Sequence, residues 1–306
     1  MHRLRQIAPV LLILLLLSLC IWSITQELQE YSLEEIEQNL AHIPRNRKLE
    51  AIALTVLGYL TITGYDFLGF RYIRRSLAPA KIIFTSFLSY AIGNTIGFTL
   101  FSGTAIRYRF YSRWGVSSVQ IAKIIAFTHL SFWLGMFGIG GVVFLIDPLT
   151  LPTLLDLPFK SVHPLGILFL SIVGLYLLAS LWYRKPLRIK QEELALPSTR
   201  LSMNILAVAS LDWGLAAAVL YRLLPSTMPL SYPSFFGIYV LALTAGIIST
   251  VPGGLGVFET VILLLRPPSV PAPAILGTLL AYRGIYYFLP LIVAILLWLV
   301  RELQRK

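Results

Sequence analysis

Charge and cysteine are what this sequence has least of. Of its 306 residues, 13% are charged and a single one, Cys20, is a cysteine. One thiol excludes an internal disulfide framework and leaves the redox environment unspecified. The four histidines, His2, His42, His129 and His163, lack the short spacings by which ligands converge on one ion, so no metal site is expected. His129 sits inside an apolar run, where a hydrogen bond to a neighbouring helix is the expected role. There is no G-x-S-x-G elbow, Walker loop or dinucleotide fingerprint. No cofactor is therefore expected, and ATP-driven transport by this chain alone is not.

What the sequence does have is apolar length. Hydrophobic residues make up 57% of the chain and the mean hydropathy is +0.78, values of a polytopic membrane protein. A hydrocarbon core is crossed by about 17 to 25 apolar residues. Runs of that order can be read at 7–24, 49–70, 82–101, 121–146, 164–183, 203–224, 235–251 and 276–300. The first follows Arg3 and Arg5 without an A-x-A cleavage site, so it is expected to remain as an uncleaved span. The net charge of +11 resides in short clusters flanking these runs, where bases act as topology signals and contacts for anionic headgroups. Nucleic acid is not an expected partner, because no soluble basic fold is left to bind it.

If all eight runs crossed, the basic clusters at 71–81 and 107–113 would face opposite compartments, against the tendency of Lys and Arg to stay cytoplasmic. If 82–103 and 235–266 are instead re-entrant hairpins, 17 bases gather on the inside and six on the outside, with both termini cytoplasmic. The same segments carry helix breakers: Gly93, Asn94 and Gly97 in AIGNTIG, and Pro252, Gly253, Gly254 and Gly256 in VPGGLG. Proline removes a backbone donor and glycine enters turns closed to other residues. Such backbone survives at membrane depth only where protein or a wet cavity covers it. The expected fold is an all-α integral membrane protein: one transmembrane domain over 1–306, a polytopic helical bundle with about six full spans and two re-entrant hairpins. Each hairpin follows a span bearing an acid and precedes an arginine, which outlines an inverted repeat with halves at 49–183 and 203–300.

A charge at the bilayer centre costs on the order of 2.5–3.5 kcal/mol on insertion scales. Asp66, Arg107, Asp212, Glu259 and Arg283 must therefore be paired or solvated. The charges can serve in two ways. They can line a polar cavity, the planar guanidinium forks for phosphate oxygens and the carboxylates for an amine, or they can pair with one another and lock helices together. Tyr282, Tyr286 and Tyr287 beside Arg283 either line that cavity or belong to an interfacial aromatic belt.

Five stretches in order and spacing, TGYDFLGFR at 63–71, SGTAIRYRFYSRWG at 102–115, SLDWGLAAAVLY at 210–221, STVPGGLGVFE at 249–259 and LAYRGIYYFLPLIVAIL at 280–296, resemble the N-terminal flippase region of the multiple peptide resistance factor proteins, the bacterial lysyl-phosphatidylglycerol synthases. The resemblance covers nearly the whole chain. It implies a multi-pass protein of the bacterial plasma membrane that moves aminoacylated phosphatidylglycerol between leaflets. The family's functional charges carry over to Asp66, Arg107 and Asp212. Asp212 stands where the family often has glutamate, and Glu259 where it has aspartate, so reach differs by one methylene. The aminoacyl-transferase domain of the synthases has no counterpart in these residues, so a lipid transporter is expected and not an enzyme.

The expected partners are the membrane, a phospholipid with an anionic phosphate and an amine, a separate lipid aminoacyl synthase, and a second copy of the chain. Two alternatives stay open: an ion-coupled carrier of a small amphiphile, and a non-catalytic membrane subunit of a lipid aminoacyl synthase.

Overall fold

The computed structural model describes residues 33–96, 99–149, 161–182, 187–189, 192–249, 254 and 256–304. The first apolar run, at 7–24, lies outside them. In chain order the elements are α1 (Leu33–His42), α2 (Arg45–Tyr72), α3 (Pro79–Ile96), α4 (Thr99–Arg113), α5 (Ser118–Ile146), α6 (His163–Trp182), a short ribbon of β1 (Leu187–Ile189) and β2 (Glu192–Leu194), α7 (Thr199–Leu223), α8 (Tyr232–Ile248), α9 (Val257–Leu264), α10 (Ala272–Tyr282), a π-helical segment Arg283–Phe288, and α11 (Leu289–Leu303). The protein is a helical membrane bundle. Among the described residues five helical stretches are long and apolar enough to cross a bilayer: α2, α5, α6, α7 and the continuous rod Ala272–Leu303.

Helix boundaries follow local chemistry. At α5 the Ser117 hydroxyl accepts from the Gln120 N–H while the Gln120 side chain accepts from the Ser117 N–H, so two otherwise orphaned donors are satisfied reciprocally. Ser198 and Ser231 cap α7 and α8 in the same manner, without the return bond. Within the helices Thr55, Ser131, Thr244 and Thr278 turn their hydroxyls onto the carbonyl four residues back, which lets polar side chains enter an apolar medium already satisfied. His129 does likewise: its Nδ1 meets the Ile125 carbonyl oxygen at 2.8 Å on its own helix, correcting the expected bond to a neighbour. α6 packs chiefly on α5 and exposes Ile167, Leu168, Leu175, Leu181 and Trp182, a surface suited to lipid tails.

Two antiparallel helix pairs stand apart from the long spans. In the first, the Lys81 ammonium lies over the Trp114 ring and Phe84 meets Phe110 edge-on, so the start of α3 faces the end of α4. α3 ends at Ile96 and α4 starts at Thr99. Gly93 and Asn94, expected at the break, lie inside α3 instead. Helical glycine costs only about 1 kcal/mol, less than leaving ladder hydrogen bonds unmade in an apolar setting, so the helix continues through them. Gly97 lies outside the described residues. In the second pair Tyr239 meets Phe258 at 5.7 Å between ring centroids, bringing α8 against α9. Here Gly254 and Gly256 adopt φ of 63° and 75°, left-handed backbone that a Cβ would oppose, and Gly256 starts α9. Pro252 and Gly253 lie outside the described residues.

α2 packs along α7 more extensively than any other pair of described elements, and α5 packs against both. The helices that carry Asp66 and Asp212 therefore form the centre of the bundle, with the two helix pairs arranged around them.

Candidate functional site

Asp66 lies on the second-last turn of α2, fully buried, and four donors converge on it. Its Oδ1 accepts from Arg107 Nε at 2.9 Å and from the Tyr111 hydroxyl at 2.9 Å. Its Oδ2 accepts from Arg107 Nη2 at 2.8 Å and from the Ser86 hydroxyl at 2.9 Å. Arg107 thus meets the carboxylate with two parallel N–H bonds, the arrangement its planar fork favours, and the Tyr90 ring lies 4.6 Å from its guanidinium carbon. α2 supplies the acid, α3 supplies Ser86 and Tyr90, and α4 supplies Arg107 and Tyr111 one turn apart. The pair is 0% and 1% exposed, so the full saturation is what makes two buried charges tolerable.

Glu259 and Arg283 form a second pair of different construction. Glu259 occupies the first turn of α9, where the positive end of the helix dipole favours a carboxylate. Arg283 directs both Nε, at 2.9 Å, and Nη2 onto the same oxygen, Oε1. Glu259 Oε2 is buried and has no hydrogen-bond partner among the described residues. Arg283 opens the π-helical segment, in which the Leu289 N–H donates to the Gly284 carbonyl five residues back. Pro290 explains the local widening: it has no N–H for the Tyr286 carbonyl, and its ring would crowd that oxygen in an α-helix. The Tyr286 carbonyl accepts instead from the Tyr59 hydroxyl at 3.2 Å, and the next carbonyl, of Tyr287, from Thr95 Oγ1 at 3.3 Å. Side chains of α2 and α3 thus donate to backbone carbonyls of the π-helical segment.

Asp212 is on the middle turns of α7, 6% exposed. Its Oδ2 accepts from the Tyr65 hydroxyl at 3.0 Å, while Oδ1 is buried with no partner among the described residues. The adjacent Trp213 donates its indole N–H to the Phe132 carbonyl at 3.1 Å, fixing α7 to α5 and with it the direction of Asp212. Tyrosines connect Asp212 to both pairs. Tyr65 lies 6.0 Å from Tyr90, which covers Arg107. On the other side Tyr59, six residues before Tyr65 on α2, lies 5.9 Å from Tyr286 between ring centroids. The Tyr286 ring stacks on Tyr282, whose hydroxyl is 2.8 Å from that of Tyr239.

The five charges expected from the sequence are thus two arginine–carboxylate pairs and one separate carboxylate, joined by tyrosines, and not one mixed cluster. Tyr282, Tyr286 and Tyr287 belong to this interior wall, the first two buried and the third below Arg283 at 5.7 Å. Sequence reasoning passed over Tyr65, Tyr90, Tyr111, Ser86 and Tyr59. Helical spacing could have found one of them, since Tyr111 follows Arg107 by one turn. Among the described residues no three metal-ligating side chains converge. Chemically the arrangement offers guanidinium forks that already bind oxyanions and two carboxylate oxygens able to accept from a cation.

A protein designated slr0712 from Synechocystis is 46% identical to this chain over 290 residues, covering 95% of the chain and 90% of that protein. The inner membrane protein YbhN of Escherichia coli is 31% identical over 279 residues, covering 89% of the chain and 86% of YbhN. The chain belongs to the YbhN family. No protein-family model matches it. This YbhN relative is also similar to the phosphatidylglycerol lysyltransferase of Staphylococcus haemolyticus, with 25% identity over 277 residues that cover 84% of the chain. The chain spans about a third of that enzyme's length, 31%. The resemblance anticipated from the five motifs thus extends over most of this chain.

Proposed function

We propose that this protein is a phospholipid translocase, moving aminoacylated phosphatidylglycerol or a related lipid with a phosphate and an amine between leaflets of the bacterial plasma membrane. The observation that carries the proposal is Asp212: a carboxylate held rigidly at mid-span with one buried oxygen unpartnered among the described residues, between two arginine–carboxylate pairs. An unpartnered acceptor in an apolar interior is costly, and an ammonium group would satisfy it. The similarity to proteins named phosphatidylglycerol lysyltransferase supports a lipid with such a headgroup. A separate synthase would supply it, and no aminoacyl transfer is assigned to these residues.

In this mechanism Arg283 and Arg107 receive the lipid phosphate in turn, while Asp212, Glu259 and Asp66 receive the amine, and the acyl chains stay in lipid. The two halves, α2 to α6 and α7 to α11, are treated as an inverted repeat whose helix pairs enter from opposite sides, with both chain termini cytoplasmic. In the state described, the Asp66–Arg107 pair is closed and the Glu259–Arg283 pair has an acceptor to spare. Exchange of these roles between the pairs would carry the headgroup from one side of Asp212 to the other. A lipid gradient or a coupled ion supplies direction.

The test is leaflet exchange of labelled lysyl-phosphatidylglycerol and labelled phosphatidylglycerol in liposomes containing the purified chain and its Asp212→Asn variant. The proposal expects exchange of the lysylated lipid, lost in the folded variant. Equal slow exchange with and without the wild-type protein would refute it.

A further inference from the structure

Where α3 begins and α4 and α11 end, two arginines share one carboxylate and two further cations lie over a neighbouring tryptophan. Glu302 Oε1 accepts from Arg109 Nη2 at 3.0 Å, Arg113 Nη1 at 3.5 Å and the Trp298 indole N–H at 3.4 Å, so one oxygen serves three donors. The Arg109 guanidinium lies 5.3 Å from the Trp298 ring centroid, while the Trp114 ring holds the Arg301 guanidinium at 5.1 Å and the Lys81 ammonium at 5.4 Å. Arg109 Nε has no partner among the described residues. The cluster is open at its edge, with Arg109, Arg113 and Glu302 exposed by 26%, 37% and 30%.

Helix dipoles account for half of this charge. Bases are favoured at helix C-termini, which explains Arg113 at the end of α4 and Arg301 in the last turn of α11. The same rule opposes Lys81 in the first turn of α3 and says nothing for Arg109, a turn before the end of α4. Yet aromatic rings hold both cations in place. The surface next to the cluster is apolar, since α11 exposes Leu297, one turn before Arg301, and Leu299, three residues before Glu302. A group with anionic oxygens at the level of the arginines and hydrocarbon along α11 would complete it.

We propose that this cluster is a docking site for the phosphate of an anionic phospholipid in the adjoining leaflet. The site is separate from the buried pairs and does not depend on whether the protein moves lipid. A phosphodiester brings two unesterified oxygens to a place where a single carboxylate oxygen is shared by three donors. The apolar face of α11 selects a lipid over a soluble phosphate or an acidic protein segment.

The experiment measures the motionally restricted fraction of spin-labelled phosphatidylglycerol and of spin-labelled phosphatidylcholine around the full chain in phosphatidylcholine bilayers. The wild type is expected to prefer phosphatidylglycerol by at least about threefold, in line with the attraction of several bases to an anionic lipid. A variant carrying Arg109→Gln, Arg113→Gln and Arg301→Gln should lose the preference. A control with Arg71→Gln and Arg74→Gln, at the exposed end of α2, should keep it. Glu302→Gln should raise it by removing the competing carboxylate, and this variant decides the matter should the triple variant fail to fold. No preference in the wild type, equal loss in the control, no rise in Glu302→Gln, or abolition by inorganic phosphate would each overturn the proposal.

Discussion

The two buried arginine–carboxylate pairs differ in how their oxygens are used. Asp66 divides four donors evenly between two oxygens, so neither is left over. Glu259 takes both Arg283 nitrogens on one oxygen and leaves the other without a partner among the described residues. The first pair sits among regular helices, the second where a glycine turn starts a short helix and a π-helical segment ends a longer one. The first therefore works as a lock in the state described, and the second as a pair with capacity to bind something else. Asp212 resembles the second, with one oxygen engaged and one not.

Amide substitutions turn this difference into the largest expected effect. In Asp66→Asn one oxygen becomes an NH2 group, and either position already faces two donors. The variant is therefore expected to lose on the order of 3–5 kcal/mol, the range for breaking a buried pair, read as a fall in melting temperature and folded yield in detergent. In Glu259→Gln the NH2 group can take the unpartnered position with Oε1 kept for Arg283, so the loss of folded yield should be smaller than in Asp66→Asn. Under the proposed function it would lose a charge-assisted bond to the headgroup of about 1.5–3 kcal/mol, which corresponds to a fall in lipid exchange of roughly tenfold or more. Asp212→Asn should behave as Glu259→Gln does, since Tyr65 needs only one oxygen. Loss of folded yield in Asp212→Asn, with normal exchange per folded molecule, would move Asp212 into the class of locks.

A smaller effect tests the π-helical segment. Tyr59→Phe removes the donor that satisfies the Tyr286 carbonyl, at an expected cost of about 1–3 kcal/mol for a buried acceptor left without a partner. Thermal unfolding should show it. If Tyr59→Phe is neutral, the carbonyl finds another donor and the segment is less constrained by α2 than the geometry indicates.

The membrane bundle and its five intramembrane charges were legible because charge is rare in apolar runs and each instance stands out. Their pairing was not legible. Asp66 and Arg107 are 41 residues apart, Glu259 and Arg283 24, and Tyr65 and Asp212 147, separations that only the packing of α2, α4, α7 and the π-helical segment resolves. The turn glycines Gly254 and Gly256 announced themselves by density around Pro252, whereas Gly93 and Asn94 resembled a break and are helical, because an apolar setting penalises an open ladder more than it penalises glycine. The tyrosines were hidden for a different reason. A tyrosine in a membrane sequence reads as interfacial by default, and only one-turn spacing from a charge marks it otherwise.

The most direct test of the central claim compares Asp66→Asn and Glu259→Gln side by side, measuring folded yield and lysyl-phosphatidylglycerol exchange per folded molecule in the same liposomes. A lock and an open pair predict that Asp66→Asn loses the larger share of folded yield, while Glu259→Gln keeps most of its yield and loses exchange. Equal losses of yield in both, with exchange per folded molecule unchanged in Glu259→Gln, would show that both pairs only hold the bundle together.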